Sequence, residues 1–428
     1  MQLYRYDVYR FCLMFRKLKR LWPKLVIMAG IIGPGIITAN ADNDAGGITT
    51  YSVVGAHFGT KMLWVLFLLT FALAITQEMG VRIGLVTRQG LAGVIRERFP
   101  IGWTVFAMAI MLVANMGTIT AEFAGVAASF SIFGASKYLV IPFTAAIVWL
   151  VLYKGSFKTT QKIFLIFSAF YIVYLINGFF IHPDFKGAIS DIFRPSLEWS
   201  APFLLTLVAL IGTTITPWGQ FFIQSYAVDK GLDVQHYKTS KIEVYAGAVL
   251  TNVVSFFIIV STATILYKQG IHITDARDAA LALRPLAGQL AQFLFAFGLF
   301  SASMLGAFIL PVATSYALCE AFGWEAGFDT TWAKGKTFYS LILFVIIVPA
   351  LIVLIPKISL IKILIWSQDL NGILLPIILI FVMKLVNDRT VMKEFTNKIW
   401  SNLVGWVTII SIILASVALV ATSVFGYN

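Results

Sequence analysis

Charged residues, cysteines and histidines are all scarce in this 428-residue chain. Asp, Glu, Lys and Arg make up 12% of the residues, about half the share in an ordinary soluble domain. The two cysteines, Cys12 and Cys319, stand far apart, which argues against a disulfide framework or a cysteine metal site. The sequence also lacks a glycine-rich phosphate loop and a nucleophile–base arrangement, so neither an enzyme nor a bound cofactor is expected.

Long apolar runs take the place of the missing charge. Hydrophobic residues make up 59% of the chain, and runs of about 20 residues are long enough to cross the hydrocarbon core of a bilayer. The pattern predicts an all-α polytopic membrane protein without a separate soluble domain. The eleven predicted spans are residues 25–54, 62–87, 102–133, 138–153, 160–181, 201–228, 243–267, 286–321, 337–356, 359–386 and 401–425.

The basic residues predict the orientation of these spans. Residues 1–24 carry seven Lys and Arg residues and no signal-peptide cleavage site. With this end in the cytoplasm, cytoplasmic segments hold 23 of the 32 Lys and Arg residues, so the positive-inside rule places the C-terminus outside. The net charge of +12 is then an orientation signal aided by anionic lipid. We expect a prokaryotic inner membrane as the location, the lipid bilayer as surroundings, and neither a nucleic acid nor an obligate protein partner.

Two spans are interrupted by polar residues. The first contains GPGIITANADNDAGG at residues 33–47, which puts Asp42 and Asp44 near mid-membrane. An ionisable group there costs about 2.5–3.5 kcal/mol, so it usually faces a water-filled path or a cation. The sixth span contains GTTITPWGQ at residues 212–220, and Pro217 should break that helix near Thr216. Broken backbone at this depth is tolerated only where it is buried in protein or lines a cavity.

The positions of the two breaks suggest an internal repeat. Spans one and six begin two consecutive sets of five spans, 25–181 and 201–386, and the span at 401–425 lies outside both. This is the organisation of an inverted-repeat transporter, whose site lies at the unwound segments. The alternative is two unrelated kinks, because Gly and Pro are ordinary in membrane helices.

Several motifs resemble the Nramp family of divalent-metal transporters. The first-span signature is similar in its Gly-Pro-Gly, its aspartate and its GAHFG, and the matches continue in order along nearly the whole chain. The matching residues are Gly33-Pro34-Gly35, Asp44, Gly55 to Gly59, Gln77, Arg82 to Thr87, Leu91-Ala92, Ala121-Glu122, Pro217, Ser367-Gln368 and Leu375-Pro376. The resemblance implies a LeuT-type fold: two inverted five-helix repeats, an eleventh helix, and a metal site between broken helices one and six.

The chain departs from the family pattern at the implied site. Gly47 replaces the amide of the family's Asp-Pro-Gly-Asn, and Thr216 and Trp218 replace the methionine and histidine of its Met-Pro-His. Ile119 replaces an acid, and residues 337–355 contain no basic residue where the family has arginines. Together these changes resemble the Nramp-related magnesium transporters, a divergent branch of the family.

The replacements agree with magnesium chemistry. Mg²⁺ prefers oxygen ligands and dehydrates reluctantly, whereas sulfur selects softer ions. Smaller side chains at positions 47 and 216 leave room for a partly hydrated ion, and the lost histidine and arginines remove proton carriers. The sequence therefore predicts Mg²⁺ transport by alternating access, with Mn²⁺ also accepted and no proton coupling. The alternatives are a proton-coupled Mn²⁺ or Fe²⁺ transporter, a sodium-coupled carrier of an organic solute, and a non-transporting sensor or scaffold.

The candidate site residues fall into three groups. The predicted metal ligands are Asp44, the Ala41 carbonyl, Thr213, Thr216 and Gln368. The predicted cavity-lining residues are Gly47, Trp218, Gly219, Gln220 and Asn371. The predicted path or gating residues are Asp42, Gln224 and Glu122.

Each candidate also has a structural alternative. Asp44 could only cap the second half of helix one, the threonines could bond their own backbone, and Trp218 could simply pack. Gln368 could serve a helix–helix hydrogen bond. We expect the histidines to be separate, solvated surface groups; they are His57, His182, His236 and His272.

Overall fold

The computed structural model describes residues 42–154, 172–284, 288–326 and 335–425. Within these ranges the regular structure is helical. The helices are α1 (Ala45–Phe58), α2 (Leu63–Thr87), α3 (Leu91–Arg98), α4 (Ile101–Ser131), α5 (Lys137–Lys154), α6 (Ile172–Phe180), α7 (Phe185–Ile192), α8 (Ala201–Thr214), α9 (Pro217–Asp229), α10 (Tyr237–Ile265), α11 (Ala276–Ala280), α12 (Ala291–Phe322), α13 (Lys336–Leu354), α14 (Leu360–Asn387), α15 (Arg389–Met392) and α16 (Ile399–Phe425).

Nine segments in the described ranges are long and apolar enough to cross a membrane. They coincide with nine of the eleven predicted spans, and α8 and α9 together form one of them. The other two predicted spans, 25–54 and 160–181, are described only in part, by α1 and α6. The Ala41 carbonyl, a predicted ligand, lies outside the described residues.

The predicted break in the sixth span is confirmed. Helix α8 ends at Thr214, Ile215 and Thr216 are extended, and α9 begins with Pro217. The Thr216 hydroxyl accepts a hydrogen bond from the Gly219 backbone N–H at 3.2 Å, which caps the new helix start. The position of Pro217 follows from its chemistry, because the first helical residue needs no backbone donor.

The polar segment of the first span also stands before a helix start. Residues 42–44 are not helical, and α1 begins at Ala45. Asp44 is its N-cap: Oδ1 accepts a hydrogen bond from the Gly47 backbone N–H at 2.7 Å. Acidic N-caps are favoured by the orphan N–H groups and the positive end of the helix dipole.

Glycines let α8 and α14 pack with their backbones in contact. A Cβ on Gly212 would lie 2.1 Å from the Gln368 carbonyl oxygen, and one on Gly372 would lie 2.5 Å from the Val208 carbonyl oxygen. Small residues permit such close crossings in membrane proteins. The crossing fixes the stretch of α14 that carries Gln368 beside the end of α8.

A buried ion pair holds one end of α2. Arg82 Nε lies 3.0 Å from Glu78 Oε1, and both side chains are buried. The Tyr237 hydroxyl donates to Glu78 Oε1 at 2.6 Å, and Arg82 also donates to the Phe395 carbonyl and the Asn397 side chain. The pair thus joins α2 to the start of α10 and to the segment before α16.

Breaking this pair from one side is expected to destabilise the fold. Arg82→Met leaves the Glu78 carboxylate buried without its partner, which costs about 3–5 kcal/mol in soluble proteins. The double variant Glu78→Gln with Arg82→Met removes both charges and should recover much of the loss. Thermal unfolding of the purified protein in detergent measures both effects. If the double variant loses as much stability as the single variants Glu78→Gln and Arg82→Met lose in sum, the residues are not coupled.

Candidate functional site

The two interrupted segments meet inside the protein. The Thr216 hydroxyl donates a hydrogen bond to Asp42 Oδ1 at 3.1 Å, which joins the residues before α1 to those before α9. Gly47 lies at the same contact: a Cβ there would stand 3.0 Å from the Asp42 carbonyl oxygen and 3.1 Å from Thr213 Oγ1. The juxtaposition expected from the sequence is therefore present. The room expected at Gly47 is taken by these two oxygens in this structure.

Asp44 has one oxygen in the helix cap and one without a hydrogen bond. Its side chain is 1% exposed. Oδ1 accepts the Gly47 N–H, whereas Oδ2 has no hydrogen-bond partner. Capping thus explains the burial of Oδ1 but not that of Oδ2. A buried oxygen of a carboxylate without a partner is costly, and a cation would compensate it.

Asp42 has both of its carboxylate oxygens engaged. Oδ1 accepts from Thr216, and Oδ2 accepts from Gln77 Nε2 at 2.9 Å. Asp42 therefore links α2 and the start of α9 to the segment before α1. Gln77 belongs to the site region, although the sequence analysis identified it only as a match to the family pattern. The flanking residues Thr76 and Glu78 are polar as well, so the sequence offered no signal for this contact.

Glu122 of α4 lies against the Asp44 end of α1. Its carboxyl is close enough to interact with that of Asp44, and a Cβ on Gly306 would stand 2.4 Å from Glu122 Cδ. Both Glu122 oxygens are buried without a hydrogen-bond partner of ordinary geometry. Two neighbouring carboxyls away from water require a proton or a cation to offset their repulsion.

Gln368 and Asn371 of α14 lie on the side of the site formed by α1 and α4. The Gln368 amide packs directly on Gly46, where a Cβ would lie 1.8 Å from its Nε2. Asn371 Nδ2 lies within hydrogen-bonding distance of Gln368 Oε1 at 3.1 Å and of Thr118 Oγ1 at 2.9 Å. A helix–helix hydrogen bond was the alternative role for Gln368, but Asn371 makes that bond, to Thr118 of α4. Asn371 also contacts the Gln368 amide and so positions it on α1.

The polar residues of α9 extend away from the break along α2. Gln220 Oε1 lies 3.7 Å from the position of a Cβ on Gly80, and both of its amide atoms are buried without partners. Gln224 Nε2 donates to the Gln89 carbonyl at 2.9 Å, just past the end of α2. Trp218 is 1% exposed, and its Nε1 has no partner. Gln220, predicted to line the cavity, and Gln224, predicted to lie on the path, thus both lie between α9 and α2.

Asn43 is a site-region residue that the sequence analysis missed. Its Nδ2 donates to Thr251 Oγ1 at 2.6 Å, and the Ser255 hydroxyl donates to its Oδ1 at 3.0 Å. These bonds tie the unwound segment to α10. The signal in the sequence was an amide between two mid-membrane aspartates. It did not reveal the partners of Asn43, because they lie more than 200 positions later in the chain.

The donors gathered at the two breaks are oxygen atoms. The described residues contain no group of three or more His, Cys, Asp or Glu side chains that could hold a metal ion. Ligands for a cation would therefore come from carboxylate, hydroxyl, amide and carbonyl oxygens together with water. Within the described part, unpartnered oxygens at the breaks are Asp44 Oδ2, Thr213 Oγ1 and Gln220 Oε1. Such a set suits a hard divalent cation.

Solved structures with the same architecture are known. The crystal structure of the Eremococcus coleocola manganese transporter in complex with an aromatic bis-isothiourea substituted compound has a TM-score of 0.72 at 17% identity. The match covers 94% of this chain and 88% of that one. Mhp1, a nucleobase-cation-symport-1 family transporter, has a TM-score of 0.58 at 12% identity and covers 91% of this chain and 92% of its own. The predicted all-α LeuT-type fold is confirmed. The repeat boundaries stay a prediction.

Sequence relatives cover almost all of the chain. The divalent metal cation transporter MntH of Pectobacterium carotovorum subsp. carotovorum (strain PC1) is 23% identical over 412 residues, which are 94% of this chain and 96% of that protein. MntH of Yersinia pestis (strain Pestoides F) is 24% identical over 404 residues, 91% of this chain and 94% of that protein. The family model for Nramp, described as natural resistance-associated macrophage protein-like, matches residues 35–422. The chain therefore belongs to the Nramp family, which is a family of transporters and not of enzymes.

Proposed function

We propose that this protein carries divalent cations across a prokaryotic plasma membrane by alternating access, prefers Mg²⁺, accepts Mn²⁺ and does not couple transport to protons. The N-terminus is cytoplasmic in this proposal, and the cation is a substrate and not a resident cofactor. Support for divalent cations as the class comes from relatives named divalent metal cation transporters and from the fold of a manganese transporter.

The donor set at the breaks is the observation that carries the magnesium preference. Asp44 Oδ2 and Thr213 Oγ1 are buried and unpartnered, and Thr216 supplies a hydroxyl where the family pattern has a thioether. Hydroxyl and carboxylate oxygens suit Mg²⁺, and the missing sulfur removes an advantage of softer ions. The ion would retain several of its own waters, as Mg²⁺ usually does.

The residues around the site support transport without proton coupling. The Trp218 indole is a donor only and does not accept a proton from a neighbour, and Ile119 is fully buried in place of an acid. Within α13, Lys336 at its first position is the sole basic residue. A membrane potential that is negative inside drives a divalent cation by about 4.6 kcal/mol per 100 mV.

One contact favours a second candidate, a proton-coupled Mn²⁺ or Fe²⁺ transporter. Glu122 lies beside Asp44, with both carboxylate oxygens unpartnered. This arrangement provides a group that could exchange a proton when a cation reaches Asp44. The two candidates differ in a measurable quantity, the acidification that accompanies metal entry.

The first test is flux into proteoliposomes under an imposed inside-negative potential, with magnesium- and pH-sensitive dyes inside the same vesicles. Mg²⁺ entry without acidification is the expected result. Mn²⁺ entry with acidification and no Mg²⁺ flux would overturn the proposal in favour of the second candidate. Flux that requires external sodium, together with an organic solute, would overturn both.

A second prediction separates the two roles of Asp44. Asn is as good an N-cap as Asp, so Asp44→Asn keeps the start of α1 while removing the negative charge. Mg²⁺ flux is expected to fall below a tenth of the wild-type rate, about the effect of losing 1.4 kcal/mol or more of differential ion binding. Asp44→Ala, which removes both roles, is the matched comparison.

The Asp44 variants are first compared by size-exclusion profile and melting temperature. Near-normal Mg²⁺ flux in Asp44→Asn, with reduced flux only in Asp44→Ala, would show that the residue acts as a cap alone.

A third prediction concerns selectivity. The double variant Gly47→Asn with Thr216→Met restores an amide and a thioether at the breaks, and it should shift preference from Mg²⁺ toward Mn²⁺ in competition flux. Thr216→Ser keeps the hydroxyl that contacts Asp42 and is expected to keep the magnesium preference. Gly47→Ala adds the crowded Cβ without an amide and controls for displacement of the Asp42 carbonyl. An unchanged Mg²⁺ to Mn²⁺ ratio in the double variant would show that these positions do not set selectivity.

A further inference from the structure

Two histidines from distant parts of the chain meet at the far end of α1. His57 lies in the last turn of α1, and His272 lies between α10 and α11. Their ring centroids are 4.8 Å apart, with the ring planes at 87°. His57 is half-buried, its Nε2 is buried without a hydrogen-bond partner, and His272 is exposed. The expectation of a solvated surface group therefore holds for His272 and is wrong for His57, and the two rings are not separate.

The spacing of the rings suits a shared metal ion. Zinc–imidazole bonds are about 2.0–2.1 Å in tetrahedral geometry, which places the centroids of two rings on one ion roughly 5 Å apart. Imidazole nitrogen is a preferred ligand of Zn²⁺, Cu²⁺ and Ni²⁺ but not of Mg²⁺. Water is available to complete the coordination because His272 is exposed.

Both histidines stand on backbone that is already fixed. A Cβ on Gly55 would lie 2.3 Å from the Ile259 carbonyl oxygen, so this end of α1 packs directly on α10. On the other side, the Ile271 N–H donates to the Leu266 carbonyl at 3.0 Å, which folds the chain back next to the end of α10. The approach of the two rings thus requires little ordering when an ion binds.

We propose that His57 and His272 form a binding site for a transition metal ion of the Zn²⁺ class, outside the transport site. Asp44 and His57 stand at opposite ends of α1, about 20 Å apart along a helix of this rise. A bound ion joins α1 to the segment after α10 and restrains the half-helix that carries the Asp44 cap. Zn²⁺ bound at the His57 end of α1 therefore slows transport without occupying the transport site.

Direct binding tests the site independently of transport. The full-length protein is purified with Asp44→Ala, which removes the free carboxylate of the transport site, and is titrated with Zn²⁺ alone by calorimetry. Loss of a second-shell partner alone costs about 10–100-fold in metal affinity, so His57→Asn and His272→Asn should each weaken binding at least tenfold. His182→Asn, at another exposed histidine, is the matched control and should bind as the parent does.

Equal Zn²⁺ affinity in all four proteins would overturn the site. Because His272→Asn changes an exposed side chain, it keeps the test valid if His57→Asn fails to fold. The restraint is tested separately, with Zn²⁺ outside proteoliposomes that otherwise carry out cation flux. Slower flux in the wild type, but not in His272→Asn, is the expected result. Equal inhibition of the two proteins would overturn the restraint, and this outcome is distinct from a failure of the magnesium proposal.

Discussion

The hydrogen bond from Thr216 to Asp42 joins two pieces of unwound backbone that the bilayer would not otherwise tolerate. Away from water, each unpaired N–H or C=O group costs several kcal/mol. The protein meets this constraint by giving each new helix its own side-chain cap, Asp44 for α1 and Thr216 for α9. The capping residues are then also the residues whose oxygens face the junction. Stabilising the breaks and assembling the cation donors are the same structural task.

Glycine contacts determine which helices surround this junction. Gly46 admits the Gln368 amide, Gly306 admits the Glu122 carboxyl, and Gly212 with Gly372 brings α8 and α14 together. In each case a Cβ would stand closer than 3 Å to its neighbour. The polar side chains of Gln368 and Glu122 therefore reach the junction because the glycines that face them have no side chain. Substitution at such a glycine would displace a functional group without changing any polar residue.

The sequence predicted the parts of this structure that rest on local chemistry. Pro217 predicted the break between α8 and α9, and the length of the apolar runs predicted the spans. Asp44 was predicted to be a cation ligand, with capping as the alternative, and in the structure one oxygen makes the cap while the other is unpartnered. The metal preference and the absence of proton coupling stay predictions.

Contacts between distant segments could not be predicted from the sequence. Asn43 pairs with Thr251 and Ser255, Gln77 with Asp42, and His57 with His272. A single sequence gives no information on which polar residue of one helix faces which residue of another. Such pairing depends on helix rotation and tilt, and these are set by packing along the whole helix.

The Thr216 hydroxyl has one hydrogen and two lone pairs. Its hydrogen points to Asp42, and one lone pair accepts the Gly219 N–H. One lone pair is left, so an ion could be coordinated here without losing either bond. Coordination would draw electron density from the hydroxyl oxygen and make its hydrogen a stronger donor to Asp42. An arriving cation would thereby strengthen the hydrogen bond that joins the two breaks, so that ion binding and the contact between the breaks reinforce each other through a single oxygen atom.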